Sequence, residues 1–362
     1  MTTMDEFLTL MVERDASDLL LRSEHPVLLR IFGDLVPLDG QPAPEEEVRR
    51  LVYSILTPSQ IEAFERDLEL DLAYELPGLS RYRANVYRHK GTLGTSFRAI
   101  PLRIRSMEEL GLPPICRTLT DRPRGLVLST GPAGSGKSTT QAAMLNYIND
   151  KYPVHIITVE DPIEFVHQDK AAMVNQREVG RDTLSFGNAL KWCLRQDPDV
   201  ILVGEMRDLE TMAQAITAAE TGHLVFGTLH TTDAVQTVDR VVDVFPKHQQ
   251  QQIRIQVSVN LLGVISQTLV KRKDGNGRVA AFETLVATPA VRNLIREANT
   301  HQIGSIIQTG MKQGMMTLDQ SLANLVNNGI IDYQTGLEKA SNIGEFERLL
   351  ERDDAKASGH KH

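Results

Sequence analysis

The sequence predicts an α/β chain in two parts: an N-terminal α+β domain, then a parallel sheet clothed by helices on both faces and extended by a helical C-terminal region. Three observations carry this. Residues 1–101 alternate amphipathic helices with short strand patterns. From Gly125 onward, short and continuously apolar strands alternate with helical stretches, the pattern of strands buried on both faces. A glycine-rich turn, GPAGSGKSTT, joins the first of those strands to a helix.

Within the first part, residues 18–22 and 27–31 are strand-like, joined through Pro26 and closed by the turn Phe32-Gly-Asp34. One helical stretch is expected over 44–66, with Glu45, Glu46 and Glu47 in its first turn, where acids suit the helix dipole. Strands follow over 81–87 and 94–100, connected through His89-Lys-Gly91. The proline-containing stretch to Pro123 reads as a linker holding a short helix, which sets domains at 1–101 and 124–350 with a linker at 102–123.

The second domain offers strands over 125–130, 154–159, 200–203 and 224–229. After about residue 245 the pattern turns helical: Ile253, Val257, Leu261, Leu262 and Ile265 recur at helical spacing, and further helices are expected over about 285–350. Residues 351–362 are polar and expected to be disordered, with His360 and His362 in a frayed tail rather than a metal site.

Composition narrows the function. With 362 residues, 41% hydrophobic, the chain has room for two or three packed domains. No apolar run approaches the roughly 20 residues of a membrane-spanning helix, and MTTMDEFLTLMVERDASD is too acidic for a signal or transit peptide. A cytoplasmic protein with no direct membrane insertion is expected. A net charge of -8 and 5% aromatic residues disfavour nucleic acid, whose phosphates and bases call for basic and aromatic side chains. Cys116 and Cys193 lack any ligand spacing and read as buried thiols.

The stretch Gly131-Pro-Ala-Gly134-Ser135-Gly136-Lys137-Ser138 fits G-x-x-x-x-G-K-[ST] at every fixed position, between a strand and a helix. Its glycines let successive backbone N–H groups and the helix N-terminus face the phosphates of ATP. Lys137 is expected to reach the β- and γ-phosphates and the Ser138 hydroxyl to ligate Mg2+, while Thr139 in the third position excludes the dinucleotide G-x-G-x-x-G. Two acidic sites answer the loop. Val200-Ile-Leu-Val-Gly-Glu205 ends an apolar strand in a carboxylate, with Gly204-Glu205 in place of a terminal Asp, so Glu205 holds the metal directly or through water. In Thr158-Val-Glu160-Asp161-Pro162-Ile-Glu164, Pro162 stops the strand and leaves carboxylates at the sheet edge where ligands bind. His223 and His230 bracket the 224–229 strand with opposite parity, which disfavours a shared metal site. His230 stands where a γ-phosphate sensor or a structural cap would sit.

These motifs, with Arg195-Gln-Asp-Pro-Asp199 running into Val203-Gly-Glu205 and Glu220-Thr-Gly-His-Leu224 continuing to Thr228-Leu-His-Thr231, resemble the Walker A, Asp box, Walker B and His box of the type II/IV secretion ATPases. Ala16 to Leu21, Arg30 with Gly33 to Pro37, and Phe97 to Pro101 are similar to that family's N-terminal PAS-like domain, with Leu20 where relatives often carry His. Ala290-Val291-Arg292-Asn293-Leu294-Ile295-Arg296-Glu297 resembles a signature of the pilus-retraction members; Val291, Leu294 and Ile295 form an apolar helical face and Arg292, Arg296 and Glu297 point elsewhere. An ordinary amphipathic surface helix has the same pattern.

The resemblance implies a RecA-like ATPase domain in a homo-hexameric motor that hydrolyses ATP with Mg2+ and powers type IV pilus retraction and twitching. Such a motor works at the cytoplasmic face of the inner membrane on a PilC-like platform protein, in some cases beside a PilU-like paralogue. It further implies Glu164 as the base on water, Glu205 as metal or water organiser, His230 as sensor with His223 in the same box, and Arg81, Arg83 and Arg98 as arginine fingers reaching a neighbour's phosphates. The alternatives are a PilU-like accessory, an assembly ATPase, a RecA-like nucleic-acid motor and an ATP-sensing scaffold. Intact Glu164 and Glu205 argue against the last.

Overall fold

The structure, a computed structural model, describes residues 3–31, 33–38, 41–100 and 103–358, with side chains of the final helix described as far as residue 350. The chain folds as two compact units, Met1–Arg103 and Ile104–His362.

The first unit is a six-stranded sheet of β1 (Asp18–Arg22), β2 (Leu28–Ile31), β3 (Asp34–Pro37), β4 (Glu69–Leu76), β5 (Ser80–His89) and β6 (Thr92–Ile100). It is antiparallel throughout in the order β3-β2-β1-β6-β5-β4. In β5 the period of two puts Tyr82, Ala84 and Val86 in the core and leaves Arg81 and Arg83 on the other face. Helices Met4–Glu13, Glu45–Tyr53 and Pro58–Asp67 supply Leu8, Met11, Val48, Leu51, Val52 and Phe64 to that core. Tyr82 is wholly buried because its hydroxyl donates to Leu8 O at 3.0 Å, and its ring meets Phe97 edge-on at 6.5 Å.

The helix expected over 44–66 is two helices. Thr57 forms a capping box with Gln60 and Pro58 takes the first helical turn, so a new helix starts there and the earlier one ends at Tyr53. Strands β3 and β4 were not anticipated, although Leu70, Leu72, Tyr74 and Leu76 carry the period of two that marks β4. Phe32 of the expected turn lies outside the described residues.

The second unit carries seven strands: β7 (Gly125–Thr130), β8 (His155–Glu160), β9 (Met173–Glu178), β10 (Val200–Val203), β11 (Leu224–Leu229), β12 (Leu261–Lys271) and β13 (Arg278–Val286). Their order is β13-β12-β7-β11-β10-β8-β9, parallel except where β13 returns antiparallel to β12. Every residue of β7, β10 and β11 is buried. Alternate residues feed two cores on opposite faces: Leu126, Leu128, Ile201 and Val203 join the cluster under helices Phe186–Cys193, Leu209–Glu220 and Ala234–Asp243, while Val127, Val200 and Leu202 join the one under Lys137–Lys151. The parallel sheet covered on both faces is therefore as expected.

Three expectations are corrected here. Residues 104–123 are no linker: Met107, Cys116 and Leu119 are buried in the core beneath Lys137–Lys151, which adds helix Ile115–Thr120 to the second unit. The helical pattern after 245 stops at the end of helix Lys247–Asn260, and Leu261, Leu262 and Ile265 lie in β12. There the β-branched residues Val264, Ile265, Thr268 and Val270 pair with β13, Val264 and Ile265 with β7 as well, and Asp274-Gly275 turns the chain into β13. Residues 351–358 continue helix Ile343–Ser358, because Phe346, Leu349 and Leu350 dock its start on the core formed with Leu322 and Val270, and extending a helix costs far less than nucleating one. Residues 359–362 lie outside the described residues.

Both cysteines are free and buried, and burial pushes the Cys116 thiol up to about 12 and the Cys193 thiol to about 11. Among the described residues no helix is long and apolar enough to cross a membrane, and no cluster of His, Cys, Asp and Glu suits a metal ion. Replacing Phe97 with Ala is expected to cost about 3–5 kcal/mol, because a wholly enclosed ring leaves a cavity behind. The check is urea unfolding of the full chain, where the transition of the first unit moves to lower denaturant.

Candidate functional site

Strand β7 delivers the glycine loop to the C-terminal edge of the sheet. Gly131 takes φ +140°, and a Cβ there would lie 2.2 Å from the backbone oxygen of Gln267 on β12, so only glycine fits. Gly136, at φ +91°, is the N-cap of the 15-residue helix Lys137–Lys151, and no side chain caps it. The helix therefore begins with backbone N–H groups and a positive dipole end open to an anion. Lys137 is buried, its Nζ donating to Gly131 O at 2.8 Å and Pro132 O at 3.0 Å. Burial pulls its pKa below the ordinary lysine value, against the opposing pull of Glu205 and then Glu164. Ser138 and Thr139 are half-buried, and Ser135 is buried with an Oγ that is unpaired among the described residues.

Strand β10 brings Glu205 to the same edge. Gly204 N–H donates to Val159 O at 2.8 Å, and a Cβ on Gly204 would sit 3.1 Å from that oxygen, so the glycine lets the two strands close up before the carboxylate. Glu205 accepts from Arg207 Nε and from His230 Nε2 at 3.0 Å. Burial acts against its charge, but the Arg207 hydrogen bond and cation together with His230 outweigh it and hold the carboxyl below its usual range. Arg207 was not foreseen; its only signal was a cation two positions beyond the strand-ending acid.

At the end of β8, Glu160 and Glu164 part company. Glu160 is engaged by Thr158 Oγ1 at 2.6 Å and Gln176 Nε2 at 3.1 Å, and burial pushes its pKa up. It braces β8 against β9. Glu164 is exposed in the loop that follows β8 at the same sheet edge, and its charge acts against the desolvation of Lys137.

The two histidines lie at opposite ends of β11. His230 is at the phosphate edge on Glu205; His223 precedes the strand, with Nδ1 2.9 Å from Ala218 O and 3.2 Å from Thr221 Oγ1. Six strand residues at about 3.3 Å each keep His223 about 20 Å from its own chain's loop, so the structure does not bring it into that site. Gln141, missed in the sequence, ties the loop's helix to β11: its Nε2 donates to Gly227 O at 3.2 Å and its Oε1 accepts from Thr228 Oγ1 at 2.9 Å. Thr228 O in turn accepts from Met206 N–H at 2.9 Å, one residue beyond Glu205.

The family profile described as type II/IV secretion system protein matches residues 102–338. The chain belongs to this family. It is 52% identical over 335 residues to the type IV pilus retractation ATPase PilT of Pseudomonas aeruginosa, covering 92% of this chain and 97% of that one. To the type IV pilus ATPase PilU of the same organism it is 37% identical, covering 98% and 93%. The crystal structure of the pilus retraction motor PilT with bound ADP superposes with a TM-score of 0.89 at 44% identity, covering 96% of this chain and all of that one. The chain is an ATPase of the secretion family.

Two further sets of residues expected of a secretion ATPase can now be placed. In the first unit, Arg83 and Arg98 lie directly opposite one another on β5 and β6, and Arg81 shares their face two residues along. Like charges across a strand pair repel, and acids relieve them: Asp71 lies 3.8 Å from Arg83, and Asp18 accepts from Arg98 Nε at 2.8 Å. Helix Pro289–Arg296 holds the other set, with Val291 and Ile295 wholly buried and Leu294 packed beside them. Ala290, Arg296 and Glu297 are exposed, while Asn293 accepts from Arg296 Nη2 at 3.0 Å. Arg292 departs from the outward direction expected of it. Its Nε donates to Ala287 O at 2.9 Å and its Nη1 to Ser258 O at 2.6 Å and to Val259 O, closing the carbonyl end of helix Lys247–Asn260.

Arg292→Ala should therefore lower stability by about 2 kcal/mol, the cost of part-buried carbonyls left without their donor, with Arg292→Lys recovering only part because an ammonium lacks the planar fork. Thermal unfolding of the three proteins checks this. A pH effect follows from Glu283 on β13, whose carboxyl is raised to about 7 by burial and by Asp233 and Asp319, against the hydrogen bond from Ala234 N–H at 2.8 Å. The folded chain favours the protonated acid, so its contribution is present below the ordinary carboxyl value and lost as pH rises through about 7. Thermal unfolding at pH 5.5 and 8 should show a fall that shrinks in Glu283→Gln.

Proposed function

We propose that the chain is the ATP-hydrolysing motor of type IV pilus retraction, working as a homo-hexamer and thereby driving twitching motility. The observation that carries this is the convergence of Lys137, Glu164, Glu205 and His230 around one glycine loop, in a chain so similar to a retraction ATPase. The greater likeness to PilT than to PilU favours the retraction motor itself over an accessory role.

The loop suits a nucleotide on its own chemistry: an uncapped helix N-terminus, a buried lysine and, among the described residues, an unpaired buried Ser135 Oγ lie together on one glycine-rich turn. Lys137 would hold the β- and γ-phosphates, exchanging its bonds to Gly131 and Pro132 for them. Ser138 and Glu205 would hold Mg2+, which neutralises charge developing on the transferred phosphoryl group. Glu164, exposed beside Lys137, takes the proton of the attacking water. His230 and Arg207 keep Glu205 ionised and fix its direction, and His230 senses the γ-phosphate through that contact. Arg81, Arg83 and Arg98 reach the phosphates of a neighbouring subunit from their shared sheet face, releasing Asp71 and Asp18 as they do so.

In this reading the second unit is a RecA-like ATPase domain and the first a PAS-like domain. Turnover around the ring moves rigid units against a PilC-like platform protein at the cytoplasmic face of the inner membrane, with a PilU-like paralogue as a second partner. The test is ATP turnover by the full chain against Glu205→Ala, with solution mass recorded in Mg-ATP. Wild-type turnover, a six-subunit mass, and a loss of at least about 100-fold in the variant with nucleotide still bound are expected. A monomer without turnover overturns the motor.

A further inference from the structure

We infer that Gln267 is a positioning residue for nucleotide binding: its amide fixes the peptide between Ser135 and Gly136 so that the Gly136 N–H faces the phosphates. The inference rests on the ATP-binding reading above. Gln267 lies on β12, next to β7 in the sheet, and is buried behind the glycine loop. Its Nε2 donates to Ser135 O at 2.7 Å. In a trans peptide the carbonyl and the following N–H point in opposite directions. Holding Ser135 O on the β12 side therefore turns the Gly136 N–H away from β12, to the side from which a phosphate would approach.

Two features make this more than packing. A Cβ on Gly136 would lie 3.0 Å from Gln267 Nε2, and one on Gly131 would lie 2.2 Å from Gln267 O, so both glycines leave room for this one residue. Among the described residues the Oε1 of Gln267 is buried without a partner. Folded proteins keep few such atoms, and a methionine of similar length would fill the space without that cost. An amide is retained where its donor has a task, and among the described residues the hydrogen bond that the donor makes is to the loop.

The test compares wild type, Gln267→Met and Gln267→Glu in full-length protein, using ADP titration and the ATP dependence of turnover. Gln267→Met should weaken ADP and raise KM for ATP about tenfold together, the scale of one well-directed hydrogen bond, with kcat within about twofold and thermal stability retained. Gln267→Glu should be defective at pH 8, where an ionised carboxylate faces Ser135 O, and recover as pH falls and the acid regains a donor proton. Should Gln267→Met fail to fold, that pH profile alone decides. Wild-type binding with unchanged ADP affinity in both variants, or a fall in kcat at constant affinity, overturns the inference and leaves the motor standing. A wild type that binds no ADP overturns the reading beneath it.

Discussion

Parallel strands in register send the loops that follow them to one edge, and in the second unit four strands do so together. Val203 of β10 lies level with Val159 of β8 and Gly227 of β11, and Leu229 of β11 with Thr130 of β7. The loops beginning at Gly131, Asp161, Gly204 and His230 are thereby assembled without any of them needing stability of its own. Everything chemical here depends on that register. The two cores, fed by alternate residues of the same strands, keep it from slipping, because a shift by one residue would exchange the faces of every side chain.

The electrostatics of the edge are balanced in layers. Lys137 is buried yet kept near two carboxylates that offset its desolvation, and Glu205 is kept ionised by a more exposed arginine and histidine. Glu160 shows the other outcome for an acid at the same edge. Enclosed and hydrogen-bonded, it loses the accessibility that Glu164, four residues on, retains. Two glutamates on one short motif thus divide into a buried brace and a solvent-facing carboxylate.

Much of this was legible in the sequence, for physical reasons. The glycine loop is readable because phosphate binding demands fixed residue types at fixed spacing, and β7, β10 and β11 because buried parallel strands are apolar throughout. Helix boundaries set by local chemistry, such as Thr57-Pro58, were present but overlooked. What could not be read were partners distant in the chain. Gln141, Arg207 and Gln267 look like ordinary polar residues until the fold lays them against Thr228, Glu205 and Ser135. Strand β12 was hidden because its first residues continue the apolar spacing of the helix before it. Arg292 was expected to face outward because a helical wheel does not know that a second helix ends beside it.

That last contact has a mechanical meaning. Helix Lys247–Asn260 passes without a break into β12, and six residues along the strand stands Gln267 against the glycine loop. An extended strand clamped in a sheet is stiff along its length. Arg292 ties helix Pro289–Arg296 to the end of the neighbouring helix, and about 20 Å of strand leads from there to the floor of the glycine loop. The helix and the loop are therefore linked through one continuous run of chain, Lys247 to Lys271, although they lie far apart in sequence from one another.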